Sequence, residues 1–228
     1  MPTLYVVATP IGNLEDITLR AIRILKEVDL ILCEDTRHTK RLLNQYEIKT
    51  PTSSYHQHSG SGKVQKIIEL LREGKNLALV SDAGTPGIND PGVMLLKEIV
   101  EQAGGDIEIV PIPGPSAVVA ALSVSGFPSH EFLYLGFLPH KKGRQTIFKA
   151  IDVSEATTVF YESSHRILKT LEALSLILET NRQFVVCREL TKMHETVYRG
   201  TSQIVIDALK KTSTKGEFVI IIAPRSWG

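Results

Sequence analysis

Three stretches of this chain are rich in glycine and proline and carry no lysine or arginine: Pro10-Ile11-Gly12-Asn13, the run from Ser81 to Gly92, and Pro113-Gly114-Pro115-Ser116-Ala117. Each follows an apolar run, at Leu4 to Thr9, Leu77 to Val80 and Ile107 to Pro111. Glycine permits positive φ and close backbone approach, and proline fixes φ and removes a donor. A plain strand-to-helix turn rarely runs as long as Ser81 to Gly92. In open α/β sheets ligands bind at the carboxyl ends of the strands. The three stretches therefore predict one ligand rim. It offers backbone N–H and C=O groups and few charges, which suits a nucleoside-containing cofactor. A fourth strand end, Glu34-Asp35-Thr36-Arg37-His38-Thr39-Lys40-Arg41, brings both signs of charge to the same rim.

Other site patterns are missing. Gly60-Ser61-Gly62-Lys63 is the nearest thing to a phosphate loop, but Gln57 and Val64 stand where that pattern requires glycine and Ser or Thr. No G-x-G-x-x-G follows the first strand, and no CxxC, HExxH or G-x-S-x-G spacing occurs. His56 and His58 with one cysteine are thin support for a metal, and none is expected. Their Gly/Ser-rich loop, His56 to Gly62, is expected to be a mobile lid.

The elements that must hold this rim follow from periodicity. Apolar positions alternate between strand runs and helical spacing. Strands are expected at 4–9, 29–33, 51–55, 77–80 and 107–111, and helices between them, with Asp16 as an N-cap for the first and Asp35 or Thr36 for the second. Gly74 and Gly104-Gly105 are expected to end the third and fourth helices. Five strand–helix alternations predict a mostly parallel sheet flanked by helices. After Gly126 the pattern changes. Strands at 132–137, 157–161, 184–188, 196–200 and 216–223, with helices at 145–151, 167–178 and 202–209, predict a second α/β domain with a mixed sheet. The expected division is 1–125 and 126–228.

Composition bounds the function. A net charge of +1 leaves no global basic field, so a nucleic-acid partner would have to be held by local patches. No apolar run approaches the roughly 20 residues of a membrane span, and no secretory signal is visible at Met1-Pro2-Thr3-Leu4. Cys33 and Cys187 sit in apolar strand-like runs and read as buried reduced thiols of a cytoplasmic protein.

Val7 to Thr18, Cys33 to Thr39, Ser81 to Gly92 and Pro113 to Ala117 together resemble the tetrapyrrole-methylase-like (class III) S-adenosylmethionine methyltransferases, and within them the bacterial branch that methylates small-subunit ribosomal RNA on a ribose 2′-hydroxyl. Phe160-Tyr161-Glu162-Ser163-Ser164-His165-Arg166 and Arg188 to Glu195 extend the resemblance into the second domain. It implies S-adenosylmethionine in a cleft between two domains, a homodimer, and as substrate a cytidine in small-subunit rRNA or the assembled 30S subunit. The branch usually carries a helical extension beyond the point where this sequence stops. RNA grip is then expected from a dimer partner or from other ribosomal contacts. Two alternatives stay open: a tetrapyrrole or other small-molecule methyltransferase, and a non-catalytic S-adenosylmethionine-binding module.

Carried over position by position, the resemblance implies cofactor contacts at Pro10, Asp82, Ala83, Gly84, Gly87, Ser116, Ala117, Glu162 or the adjacent Tyr161, and Leu190. Glu162 has an equally good structural role as an ion-pair partner of Arg166. A ribose hydroxyl is a poor acid, so a nearby base should assist. Glu34, Asp35, His38, His56, Glu189, His194 and Glu195 are the available groups, with Glu34 or Asp35 preferred. Arg37 and Arg41, and the loop carrying Lys141, Lys142 and Arg144, are expected to contact RNA phosphates.

Overall fold

The computed structural model describes residues 1–56, 60–103 and 105–227. Gln57 and His58 of the expected lid, and Gly104, lie outside the described residues. The chain divides into two compact units, Met1–Ser116 and Ala117–Gly228.

The first unit alternates β1 (Thr3–Val7), α1 (Leu19–Glu27), β2 (Leu30–Cys33), α2 (Thr36–Gln45), β3 (Thr52–Ser54), α3 (Ser61–Arg72), β4 (Leu77–Leu79), α4 (Gly92–Ala103) and β5 (Glu108–Ile112). The strands form one parallel sheet in the order β3-β2-β4-β1-β5. Both faces are covered, as the unbroken apolar runs require. Ala21, Ile24 and Leu25 of α1 and Leu42 and Leu43 of α2 pack on Val7, Ile31, Cys33 and Ala78. Ile67, Ile68 and Leu71 of α3 and Leu95 and Ile99 of α4 pack on Leu4, Leu32, Leu77 and Leu79. Each fully buried leucine, isoleucine or valine among them contributes about 1.5–3 kcal/mol.

Helix starts follow local chemistry, with one correction. Asp35 caps α2, its side chain accepting from the Arg37 N–H. The cap of α1 is Thr18, which accepts from the Ala21 N–H, and not Asp16. A 3-10 turn at Leu14–Asp16, itself capped by Asn13, intervenes and delays the helix.

The second unit contains α5 (Ala117–Ser125), β6 (Phe132–Phe137), α6 (Arg144–Asp152), β7 (Thr157–Ser163), α7 (Ile167–Ser175), β8 (Gln183–Arg188), β9 (Thr196–Thr201), α8 (Ser202–Lys211) and β10 (Glu217–Ile222). Its sheet order is β6-β7-β10-β8-β9. Only the β6–β7 pairing is parallel, so the sheet is mixed. Helices α6, α7 and α8 cover one face, through Phe148, Leu171, Leu174, Val205 and Leu209 against Phe160, Phe184 and Ile220. Helix α5 covers the other face, through Val118, Ala121 and Leu122 against Val159, Val185, Cys187 and Ile221. That packing puts the division at 116/117, earlier than the 125/126 boundary expected from the change in pattern. Helix α5 is apolar around its whole circumference, so its own sequence does not reveal which neighbour it covers.

Candidate functional site

In the first unit the carboxyl ends of β2, β4, β1 and β5 lie side by side. The loops that follow them are stitched together by main chain. Thr9 and Gly84 form an antiparallel bridge, with Thr9 N donating to Gly84 O at 2.9 Å and Gly84 N to Thr9 O at 3.0 Å. Thr9 Oγ1 donates to Ser81 O at 3.1 Å, and Thr85 Oγ1 to Pro115 O at 3.2 Å. Gly84 has φ +81°, and a Cβ there would stand 3.5 Å from Ile11 Cγ2 and 3.8 Å from Pro115 O. The positive φ is what favours glycine here, since a Cβ would meet the adjoining loops only at ordinary contact distance. Pro10, Asp82, Ala83, Gly84 and Gly87 all belong to this stitched rim. Asp90 closes the loop from within, accepting from Gly87 N at 2.7 Å and Gly92 N at 2.6 Å.

The rim also gathers carboxylates. Asp82 Oδ1 accepts from the Asp35 N–H at 3.2 Å, tying the end of β2 to the end of β4. Glu34, half-buried, has its carboxyl pushed up by burial and then by the charges of Asp82 and Asp90, against the pull of the nearby Asp82 N–H. Burial also raises Asp90 despite the N–H groups of Gly92, Gly87 and Ile88. Asp35 goes the other way. Arg37 donates from Nε and Nη2 to its two oxygens at 3.2 and 2.9 Å, and its carboxyl falls to about 2. Two adjacent carboxylates therefore differ in kind: Glu34 is a strengthened base, and Asp35 is a helix cap held by an arginine. Among the described residues, no group of three or more His, Cys, Asp or Glu is placed to hold a metal ion.

In the second unit, Ala117, Tyr161 and Leu190 pack against one face of the sheet, around Val118, Val159 and Val219. The Tyr161 hydroxyl lies near the Val118 N–H in the first turn of α5. Leu190 sits between two residues with positive φ, Glu189 at +53° and Thr191 at +65°. Backbone held in that region costs about 1–3 kcal/mol per residue and is concentrated at functional sites. The turn is held by Glu189, which accepts from Glu217 N at 2.9 Å and Lys192 Nζ at 3.0 Å. Tyr134 joins the same face, although its residue type and spacing gave no signal for it.

Glu162 points to the opposite face, as strand alternation demands of Tyr161's neighbour. Its side chain is 0% exposed. Oε1 accepts from Arg166 Nε at 2.7 Å and from Ser163 N at 2.8 Å. Oε2 accepts from Thr170 Oγ1 at 2.6 Å and faces Arg144 Nη2 at 3.7 Å. Glu162 thus anchors an ion-pair hub, and of the two carried-over positions Tyr161 is the one grouped with Ala117 and Leu190. Arg144 is drawn into the same hub. Its side chain is 14% exposed, donates to Pro139 O and to Thr170 Oγ1, and stacks on Phe148. Lys141, Lys142 and Arg41 are exposed, and so is Arg37 beyond its pairing with Asp35.

Residues 3–205 match the model of the tetrapyrrole (corrin/porphyrin) methylases. A protein of Synechocystis sp. named ribosomal RNA small subunit methyltransferase I is 48% identical, over 98% of this chain and 79% of its own length. Proteins of the same name from Escherichia coli O157:H7 and Thermotoga maritima are 47% and 43% identical, over 96% and 98% of this chain and 77% and 99% of their own lengths. Among solved structures, diphthine synthase superposes with a TM-score of 0.74 at 15% identity, covering 97% of this chain and 90% of its own. Uroporphyrin-III-C-methyltransferase from Thermus thermophilus superposes at 0.67 and 20%, covering 98% and 94%. At such identities these two show the fold alone.

Proposed function

The chain belongs to the tetrapyrrole (corrin/porphyrin) methylase family, and from that premise we propose that it transfers a methyl group from S-adenosylmethionine to the ribose 2′-hydroxyl of a cytidine in small-subunit ribosomal RNA. The class of substrate rests on relatives named ribosomal RNA small subunit methyltransferase I at 43–48% identity along nearly the whole chain. The observation that carries the cofactor is the stitched rim of the first unit. It offers main chain from three loops that carry no lysine or arginine, and carboxylates at Glu34, Asp82 and Asp90. That chemistry fits a nucleoside carrying positive charge. S-adenosylmethionine, when bound, supplies an activated methyl on a cationic sulfur.

The chain's own residues then have distinct tasks. Pro10, Asp82, Ala83, Gly84, Gly87 and Ser116 of the first unit contact the cofactor, and Ala117, Tyr161 and Leu190 of the second are cofactor contacts as well. Methyl transfer between two bound partners draws most of its acceleration from positioning, which is what these rigid loops provide. Glu34 takes the proton from the ribose hydroxyl. Its raised affinity for a proton makes it a better base than Asp35, which Arg37 holds ionised. Arg37, Arg41, Lys141 and Lys142 contact RNA phosphates, and Arg144 braces the loop from below. The chain acts as a homodimer in the cytoplasm; the exposed Val119 and Val124 of α5 are apolar surface that a second copy would cover. No helix among the described residues is long and apolar enough to cross a membrane.

The near-neutral net charge favours one competing reading, a small tetrapyrrole substrate. Incubation with methyl-labelled S-adenosylmethionine, undermethylated 30S subunits and, separately, a porphyrinoid decides between them. Label in the RNA is the expected result. Label in the porphyrinoid alone, or cofactor binding without transfer to either, overturns the proposal.

A further inference from the structure

Strand β6 carries an irregularity with a consequence for substrate recognition. Its register against β7 slips between Tyr134 and Phe137. Gly136, inside the slip, has φ +60°. Strict alternation would turn Phe137 away from the face that holds Tyr134. Instead both rings meet Tyr161, each with centroids 5.4 Å apart, at interplanar angles of 70° for Tyr134 and 59° for Phe137. Leu135 and Leu138 go to the opposite face, with Phe148 and Phe160. The bulge has therefore re-aimed one side chain, a use typical of bulges beside functional sites.

The side chain so placed is not buried. Phe137 is 52% exposed, on β6 at the edge of its sheet, with one side against Tyr161 and the rest in water. A core residue would not need this arrangement. Beyond it, the chain runs directly into His140, Lys141 and Lys142, all exposed. Among the described residues neither lysine has an ion-pair partner, whereas Arg144 and Arg166 nearby are neutralised by Glu162. An open aromatic face followed by two uncompensated cations matches the chemistry of a single-stranded nucleic acid, whose bases stack on aromatic rings while its phosphates take the charge.

We propose that Phe137 is a base-stacking residue for the RNA substrate, positioned by the Gly136 bulge on the same face as Tyr161, with Lys141 and Lys142 on the adjoining phosphates. The proposal rests on the rRNA reading and adds to it a specific contact. Its test uses the full chain with Phe137→Ala, Phe137→Leu and Phe137→Tyr. The readouts are KM for undermethylated 30S subunits, Kd for S-adenosylmethionine, and Tm. The Ala and Leu variants are expected to raise KM about tenfold, within the range measured for losing one stacked base. Kd and Tm should stay within twofold and within a degree or so, and Tyr should restore KM. Unchanged KM in the Ala variant, with the parent still methylating RNA, overturns the stacking role and leaves the rRNA reading standing. A Leu variant equal to the parent would make the ring an apolar contact for a protein surface. A parallel rise in Kd would make it a cofactor contact. Either result overturns the proposal. A parent that methylates no RNA brings down the rRNA reading itself, and this proposal with it.

Discussion

Glu34 sits half out of water beside Asp82 and Asp90, while Asp35, half-buried as well, is paired with Arg37. Both were candidates from sequence, and only the cap was legible there, because an Asp before a helical run has a local meaning. The environment of Glu34 depends on Asp82, which reaches β2 only through the sheet order. If Glu34 is the base, Glu34→Gln should lower single-turnover methylation by about 10²-fold or more. Asp35→Asn should keep most of it. The parental rate should rise with pH through a transition above the ordinary carboxylate range, and that limb should vanish in Glu34→Gln. Equal rates for parent and Glu34→Gln would contradict the assignment. The signs for stability are opposite. Glu34, raised in the folded chain, contributes fully below its ordinary range, and the contribution declines as pH rises through its raised value. Asp35, lowered to about 2, contributes above its ordinary range and loses that contribution as pH falls through about 2. Thermal melts of Asp35→Ala should therefore show a deficit at pH 7 that closes near pH 2. A deficit independent of pH would mean that the charge of the Asp35 carboxylate contributes none of it.

Among the elements, β6 and the second unit's ion-pair hub show what local pattern could and could not carry. The bounds of β6 follow from its apolar run, but a bulge at Gly136 was not among the expectations from sequence. The face on which Phe137 ends depends on the slip against β7, which no periodicity states. The partnership of Glu162 and Arg166 was readable from their spacing. The capture of Arg144 was not, since it comes from α6 docking over the same buried carboxylate. Removing that carboxylate leaves two poorly solvated guanidinium groups unpaired. Glu162→Ala is expected to destabilise the chain by about 3–5 kcal/mol in urea unfolding. A loss below about 1 kcal/mol would mean that the hub is well solvated. Gly84 tests the first unit's rim. Alanine at φ +81° costs about 1–2 kcal/mol of backbone strain, while its methyl meets Ile11 and Pro115 only at ordinary contact distance. Gly84→Ala should weaken S-adenosylmethionine binding by more than its loss of stability implies. Calorimetric titration giving an unchanged Kd would remove Gly84 from the cofactor site.

Across the whole chain, opposite charges nearly cancel at +1, so RNA affinity has to come from a few exposed cations. Neutralising phosphates releases counterions, and the binding constant then falls steeply with salt. Affinity for undermethylated 30S subunits should drop accordingly, and Lys141→Glu with Lys142→Glu should both weaken binding and flatten the salt slope. A flat response in the parent would place the grip elsewhere. The two-unit α/β plan was legible because alternating strand and helix periods are global signals. The allegiance of α5 was not, because a helix apolar on every side names no partner. The proposed reaction concerns one atom, the 2′-oxygen of a cytidine. A 2′-O-methyl group removes the nucleophile that cleaves RNA in alkali. RNA labelled by this enzyme should therefore release its methyl label in an alkali-stable dinucleotide whose first residue is cytidine. Label released in mononucleotides, as a base methyl would be, contradicts 2′-O-methylation.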